Sequence, residues 1–292
     1  MKTILQQLRV KQWIKNLLIF APLFFSFNLF NDKDISYTVF TFLSFSLAAS
    51  FIYIINDISD KEKDKLHPRK KLRPIPSGKL SVRNAYIIAT FLLFTSIGIL
   101  LYLNIPYLIS IIASYILLNI SYAYFLKNIS IIDCISISIG FELRIIAGCI
   151  AINVVPSDFI LIVTFFLALM LAFIKRKGEL NSLSEDSVNH RAVLKYYTNS
   201  LLDKFIFSSA SITILGYLFY SIDDAVIAKV GNDYLKYSVV FVVYGILRFI
   251  QLTEIDIYKK EGDPTTLIYK DRPIQIALLS WIVFVAFCLY VK

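Results

Sequence analysis

Nine stretches of predominantly apolar residues, each about twenty long, constrain this chain more than any other feature. They run over about 14–31, 36–56, 83–103, 106–126, 129–152, 157–175, 201–221, 235–255 and 273–291. A helix needs roughly 20 apolar residues to cross the hydrocarbon core of a bilayer. Lipid offers no water to satisfy backbone N–H and C=O groups, and open strands cannot satisfy them alone. The pattern therefore predicts an all-α integral membrane protein with nine transmembrane helices. The residue balance agrees: 57% are hydrophobic and 17% charged, where soluble domains hold about 45–50% apolar residues. A net charge of +9 would suggest nucleic acid as a partner of a soluble protein. Here the charge lies in the loops of one side, so nucleic acid is not expected.

The basic residues set an orientation. With a cytoplasmic N-terminus, the inner segments hold Lys2, Arg9, Lys11 and Lys15, then nine Lys or Arg between Lys61 and Arg83. Lys127, Lys175 to Lys177, Arg191, Lys195, Lys204, Lys259, Lys260, Lys270 and Arg272 follow on the same side. The outer segments carry only Lys33, Lys229, Lys236 and Lys292. This positive-inside bias predicts a plasma-membrane-type protein with its charged loops in the cytoplasm. Residues 3–13 read as an interfacial helix, with Arg9 and Lys11 facing water and Trp13 at the headgroups. Cys134, Cys149 and Cys288 all lie in apolar segments, which gives neither a disulfide framework nor a zinc site.

Between the second and third stretches runs NDISDKEKDKLHPRKKLRPIPSGK, residues 56–79. If the preceding helix continues, Asp57, Asp60 and Asp64 fall at i, i+3 and i+7, within about 60° on one face. Three crowded carboxylates call for a cation, and hard oxygen donors suit Mg²⁺, which completes its shell with phosphates and water. Arg69, Lys71 and Arg73 follow at once and suit phosphate oxygens. A charged loop between spans is commonly only a solvated loop. Acids at helical spacing, joined to a span by Asn56, read instead as a magnesium–diphosphate site.

Further charges lie where a membrane makes them costly. Arg144 is mid-span beside Glu142, read as a substrate-facing cation or as a brace between helices. Arg248 lies within the eighth stretch and either snorkels or lines the same cavity. Tyr122, Lys127 and Asp133 surround the turn between the fourth and fifth stretches. Lys175, Arg176 and Glu179 close the sixth, with Arg191 beyond. Asp271 and Arg272 read as a cap for the ninth helix, and Ser81 as the N-cap of the third.

Asn56-Asp57-x-x-Asp60-x-x-x-Asp64 after a second span resembles the UbiA superfamily of intramembrane prenyltransferases. RVKQWIKNLLIFAPL, HPRKKLRPIPSG, LKNISIIDCISISIGFELRIIAG, KRKGEL, HRAVLKYY and GDPTTLIYKDRPIQ resemble its decaprenyl-phosphate phosphoribosyltransferase branch. These blocks cover the chain nearly end to end. The resemblance implies a single UbiA-like transmembrane domain over 1–292 around a central cavity open to the cytoplasm, with residues 57–82 as a catalytic loop. It implies Mg²⁺-dependent transfer of phosphoribose from phosphoribosyl diphosphate (PRPP) to a polyprenyl phosphate held in the membrane. Asn56, Asp57, Asp60 and Asp64 would serve the metal and catalysis. Lys15, Arg69, Lys71, Arg73, Tyr122, Lys127, Asp133, Arg144, Lys175, Arg176, Glu179, Arg191 and Arg248 would bind substrates. A homo-oligomer is compatible with it.

Aromatic prenyltransferases of the superfamily carry a second acidic motif between spans six and seven. Glu185 and Asp186 do not reproduce it, which favours phosphate held by Lys and Arg over a prenyl diphosphate held by two metal motifs. Transfer of a prenyl group to a small or aromatic acceptor stays as the alternative. A lipid carrier or transporter is the reading from another class, though the chain shows no internal repeat.

Overall fold

The computed structural model describes residues 2–66, 70–182, 192–255 and 264–291. It is all-helical, without a strand among the described residues. Among the described residues, eight helices are long and apolar enough to cross a membrane. They are α1 (Asp32–Ser59), α2 (Val82–Leu103), α3 (Pro106–Tyr124) and α4 (Ile132–Ala151), then α5 (Asp158–Ser182), α6 (Asn199–Ile222), α7 (Tyr234–Glu254) and α8 (Arg272–Tyr290).

The segment expected as the first of nine spans is built differently. A short helix over Lys2–Leu8 stops at Arg9, which is left-handed (φ 51°). A 3₁₀ helix follows over Val10–Phe20 and one α-helical stretch over Ala21–Phe25. Pro22 has no N–H to donate to the Leu18 carbonyl, so an α-helical ladder cannot run through this point. Side-chain bonds hold the 3₁₀ stretch: Trp13 Nε1 donates to Ser50 Oγ at 3.0 Å and Asn16 Nδ2 to Ser46 Oγ at 2.9 Å.

The chain divides into two compact units, Met1–Leu126 with Gly140–Pro156, and Lys127–Ile139 with Ser157–Lys292. In the first, Asn31 caps α1 by accepting from the Lys33 and Asp34 amides, and acidic Asp32 and Asp34 suit the helix N-terminus. Small and hydroxylic residues (Ser44, Ala48, Ala49) line its buried face, which lets neighbouring backbones approach closely. Ser44 and Ser96 each donate to the other's backbone carbonyl, at 3.0 and 2.9 Å, tying α1 to α2. As expected, Ser81 caps α2, accepting from the Asn84 amide at 3.2 Å. Gly148 of α4 sits against the 3₁₀ stretch: a Cβ there would lie 2.2 Å from the Ile19 carbonyl oxygen, so only glycine permits this backbone approach.

In the second unit α5 lies along α6, and Met170, Phe173, Ile174, Leu202, Ile206 and Leu252 form a buried apolar core with α7. Lys177 of α5 crosses to Asp203 of α6 at 2.5 Å and to Glu254 of α7, joining three helices. Tyr217, Ser238 and Trp281 form a hydrogen-bonded trio among α6, α7 and α8. Asp271 caps α8 through the Ile274 amide, as expected, and its carboxylate also accepts from Arg248 Nη2 at 2.7 Å.

Candidate active site

Helix α1 does not continue past Ser59. Asp60 takes its C-cap position, and the chain restarts as a short helix over Lys61–Leu66. Asp57, Asp60 and Asp64 therefore do not share one unbroken helical face, and among the described residues no three His, Cys, Asp or Glu side chains are grouped closely enough to hold a metal ion. Asp57 and Asp64 nevertheless converge. Arg73 Nη1 donates to Asp57 Oδ1 at 2.9 Å and to Asp64 Oδ2 at 2.6 Å. Lys70 Nζ stands 3.8 Å from Asp64 Oδ1. Both carboxylates are buried, 2% and 3% exposed, so their charge requires partners.

Two of those partners come from the N-terminal segment. Arg9 Nη2 donates to Asp57 Oδ1, and Gln7 Nε2 to Asp57 Oδ2 at 3.0 Å. The Arg9 guanidinium also lies over the Tyr53 ring, 4.9 Å from its centroid. Burial pulls it below its ordinary pKa, against the attraction of Asp57. This corrects the expectation that Arg9 faces water: it turns to Asp57 instead. The left-handed turn at Arg9 directs the segment back onto the end of α1, a feature that neither spacing nor composition signals.

A second polar cluster occupies the other unit. Arg176, fully buried, donates from Nε to Asp133 Oδ2 and from Nη1 to Glu179 Oε2, both at 2.6 Å. Tyr197 donates to Asp133 Oδ1 at 2.9 Å and accepts from the Ile131 amide at 2.7 Å. Burial pushes its phenol above the ordinary range. Sequence reasoning paired neither Tyr197 with Asp133 nor Lys177 with its two acids. The repeated basic residues of KRKGEL held the only signal, without indicating which was buried.

The remaining candidates are distributed as follows. Arg144 is buried in the first unit, donating to Asn16 Oδ1 at 2.7 Å, to Tyr115 Oη at 3.2 Å and to the Gly140 carbonyl. Its guanidinium lies over the Phe45, Tyr115 and Phe141 rings. No carboxylate stands beside it among the described residues: neutral acceptors and ring faces hold the charge. Arg248 pairs with Asp271 and Gln251. Asn56, Lys15, Tyr122, Lys127 and Lys175 are half-buried, and Lys71 is exposed on the short 3₁₀ helix Lys70–Leu72 just before Arg73. Arg69, Glu185, Asp186 and Arg191 lie outside the described residues.

The model of the UbiA prenyltransferase family matches residues 17–261. The chain belongs to the UbiA prenyltransferase family. Among its relatives, a decaprenyl-phosphate phosphoribosyltransferase of Corynebacterium glutamicum is 31% identical over 291 residues, covering 98% of this chain and 86% of the relative. One of Mycolicibacterium smegmatis is 32% identical over 296 residues, covering 98% and 92%. A UbiA homolog from Archaeoglobus fulgidus bound to GPP and Mg²⁺ superposes with a TM-score of 0.73 at 19% identity, over 99% of this chain and all of that one. The same homolog bound to DMAPP and Mg²⁺ gives 0.72 at 20% identity, over 99% of each chain. This UbiA-family chain is thus an integral membrane transferase.

Proposed function

We propose that the protein transfers 5-phosphoribose from PRPP to a polyprenyl phosphate of decaprenyl type, releasing diphosphate, with Mg²⁺ as cofactor. The observation that carries this reading is the buried Asp57–Arg73–Asp64 bridge, which sets metal-type oxygen donors against phosphate-type cations. Similarity along nearly the whole chain to proteins named decaprenyl-phosphate phosphoribosyltransferase supports the choice of substrates.

The residues present suit a divalent cation. Their donors are hard carboxylate oxygens, and Gln7 Oε1 beside Asp57 is buried without a hydrogen-bond partner among the described residues. Asp57 and Asp64, with Asp60 and Asn56, would hold the ion. When bound, Mg²⁺ neutralises charge on the departing diphosphate. Arg73 and Lys71 bind donor phosphate oxygens, helped by Arg69 and Lys15. The acceptor phosphate is already anionic at neutral pH and needs orientation against repulsion rather than a strong base. Lys127, Lys175 and Arg176, with Arg191, are the cations suited to a phosphate in the second unit, where Asp133 and Glu179 hold Arg176 in place. Arg144 and Arg248 serve as braces. The positive-inside bias supports the cytoplasmic face for this chemistry, where a water-soluble donor meets a membrane-held acceptor.

The test is incubation of purified protein with labelled PRPP, Mg²⁺ and a polyprenyl phosphate. Labelled lipid is expected. Its absence at every magnesium concentration, or labelling from a prenyl diphosphate instead, would overturn the assignment.

A further inference from the structure

Asp57 accepts from three side chains, Gln7, Arg9 and Arg73, and one of the three is only half used. Gln7 is 1% exposed. Its Nε2 donates to Asp57 Oδ2 at 3.0 Å, whereas its Oε1 is buried with no hydrogen-bond partner among the described residues. The amide orientation follows from chemistry, since turning Oε1 toward the carboxylate would set two acceptors against each other. Leaving a buried acceptor unsatisfied is costly, and native structures rarely tolerate one without a functional reason. Because Oε1 shares a carbon with Nε2, it lies beside the Asp57 carboxylate. An acceptor there awaits a donor that none of the described residues provides. Arg9, the nearest cation of the same segment, is committed to Asp57 Oδ1 and the Tyr53 ring.

We propose that Gln7 is a positioning residue of the acid site: Nε2 fixes Asp57, and Oε1 accepts a hydrogen bond from an O–H group that the ligand brings. That group is either a water carried on the divalent cation or a hydroxyl of the phosphosugar donor. The proposal rests on the metal–diphosphate reading above and adds to it a contribution from the N-terminal segment. Groups one step removed from a metal commonly alter its affinity 10- to 100-fold when replaced.

The experiment uses the full-length protein in detergent, with Mn²⁺ alone followed by electron paramagnetic resonance, and PRPP with Mg²⁺ followed by calorimetry. If cation-bound water is the donor, Gln7→Met weakens Mn²⁺ alone by at least about tenfold. If a sugar hydroxyl is the donor, Mn²⁺ alone is unchanged, and PRPP weakens about tenfold while inorganic diphosphate with Mg²⁺ does not. Gln7→Asn, which keeps both the amide donor and the acceptor oxygen on a stem shorter by one methylene, recovers part of the loss in the affected arm. Should Gln7→Met fail to fold, Gln7→Leu is read in its place. Equal losses in the Met and Asn variants would assign Gln7 to packing and overturn the proposal, as would changes below twofold in both arms. A wild-type protein that binds neither Mn²⁺ nor PRPP overturns the metal–diphosphate reading together with this one. Wild-type binding lost in Asp57→Asn yet untouched in Gln7→Met overturns this one alone.

Discussion

Arg73 Nη1 lies 2.6 Å from Asp64 Oδ2, across the break that ends helix α1. The same nitrogen donates to Asp57 Oδ1, so one guanidinium closes the chain between two acids that the helix alone does not align. Removing it leaves buried carboxylates short of a partner. Hydrogen bonds to charged groups contribute about 1.5–3 kcal/mol each. Arg73→Met should lower the unfolding temperature in detergent and cut turnover by at least about 100-fold. Arg73→Lys keeps the charge without the fork and should regain stability more than activity. A Met variant as stable as wild type would show that the bridge does not hold the loop.

Asp57 and Asp60 differ in setting, and their variants should differ accordingly. Asp57 is buried among Arg9, Gln7 and Arg73, whereas Asp60 terminates α1. Both Asp57→Asn and Asp60→Asn are expected to abolish lipid labelling, as exhaustive chelation would, because both sit in the proposed metal set. Asp57→Asn should also destabilise the metal-free protein, since it leaves two guanidiniums facing a neutral amide. Thermal melting alongside the assay separates the two effects. Near-normal turnover in either variant contradicts the metal assignment.

Arg144 offers a contrast between bracing and binding. Its contacts join α4 to the 3₁₀ stretch through Asn16 and to α3 through Tyr115. Arg144→Lys loses the planar fork and the ring stacking, and should cost about 1.5–3 kcal/mol of stability, the range for a hydrogen bond to a charged group. If Arg144 bound substrate alone, the melting temperature would hold and only the KM would rise.

Much of this was readable from the residues because lipid simplifies the problem. Eight apolar stretches became eight helices, since a buried backbone has few other solutions. The stretch over 14–31 departed from that rule because Asn16 and Trp13 bind helix α1 and Pro22 interrupts the ladder. In the acid cluster, helical spacing brought Asp57 and Asp64 into view, yet the helix breaks between them, and their meeting depends on Arg73, sixteen residues beyond Asp57. Gln7 escaped notice, and Arg9 was expected to face water, for a similar reason. A left-handed residue reverses the chain there, and no local pattern foretells a contact across 48 to 50 residues. Polar residue types were visible, but which of them pair is set by tertiary geometry.

Asp271 provides a test through pH. Its carboxyl is held below the ordinary carboxylate range, first by the hydrogen bond from Arg248 and then by the Ile274 amide, against the opposing effect of burial. A carboxyl depressed on folding contributes its full stabilisation above the unfolded value of about 3.9. That contribution fades as the pH falls through the lower, folded value. Asp271→Asn retains an N-capping side chain but loses the charge facing Arg248, and should cost about 1 kcal/mol near pH 7. Melting curves of wild type and variant should therefore lie apart at pH 7 and draw together below pH ~4. A gap that stays constant down to pH ~3 would assign the loss to altered packing at the start of α8 rather than to the Arg248–Asp271 ion pair.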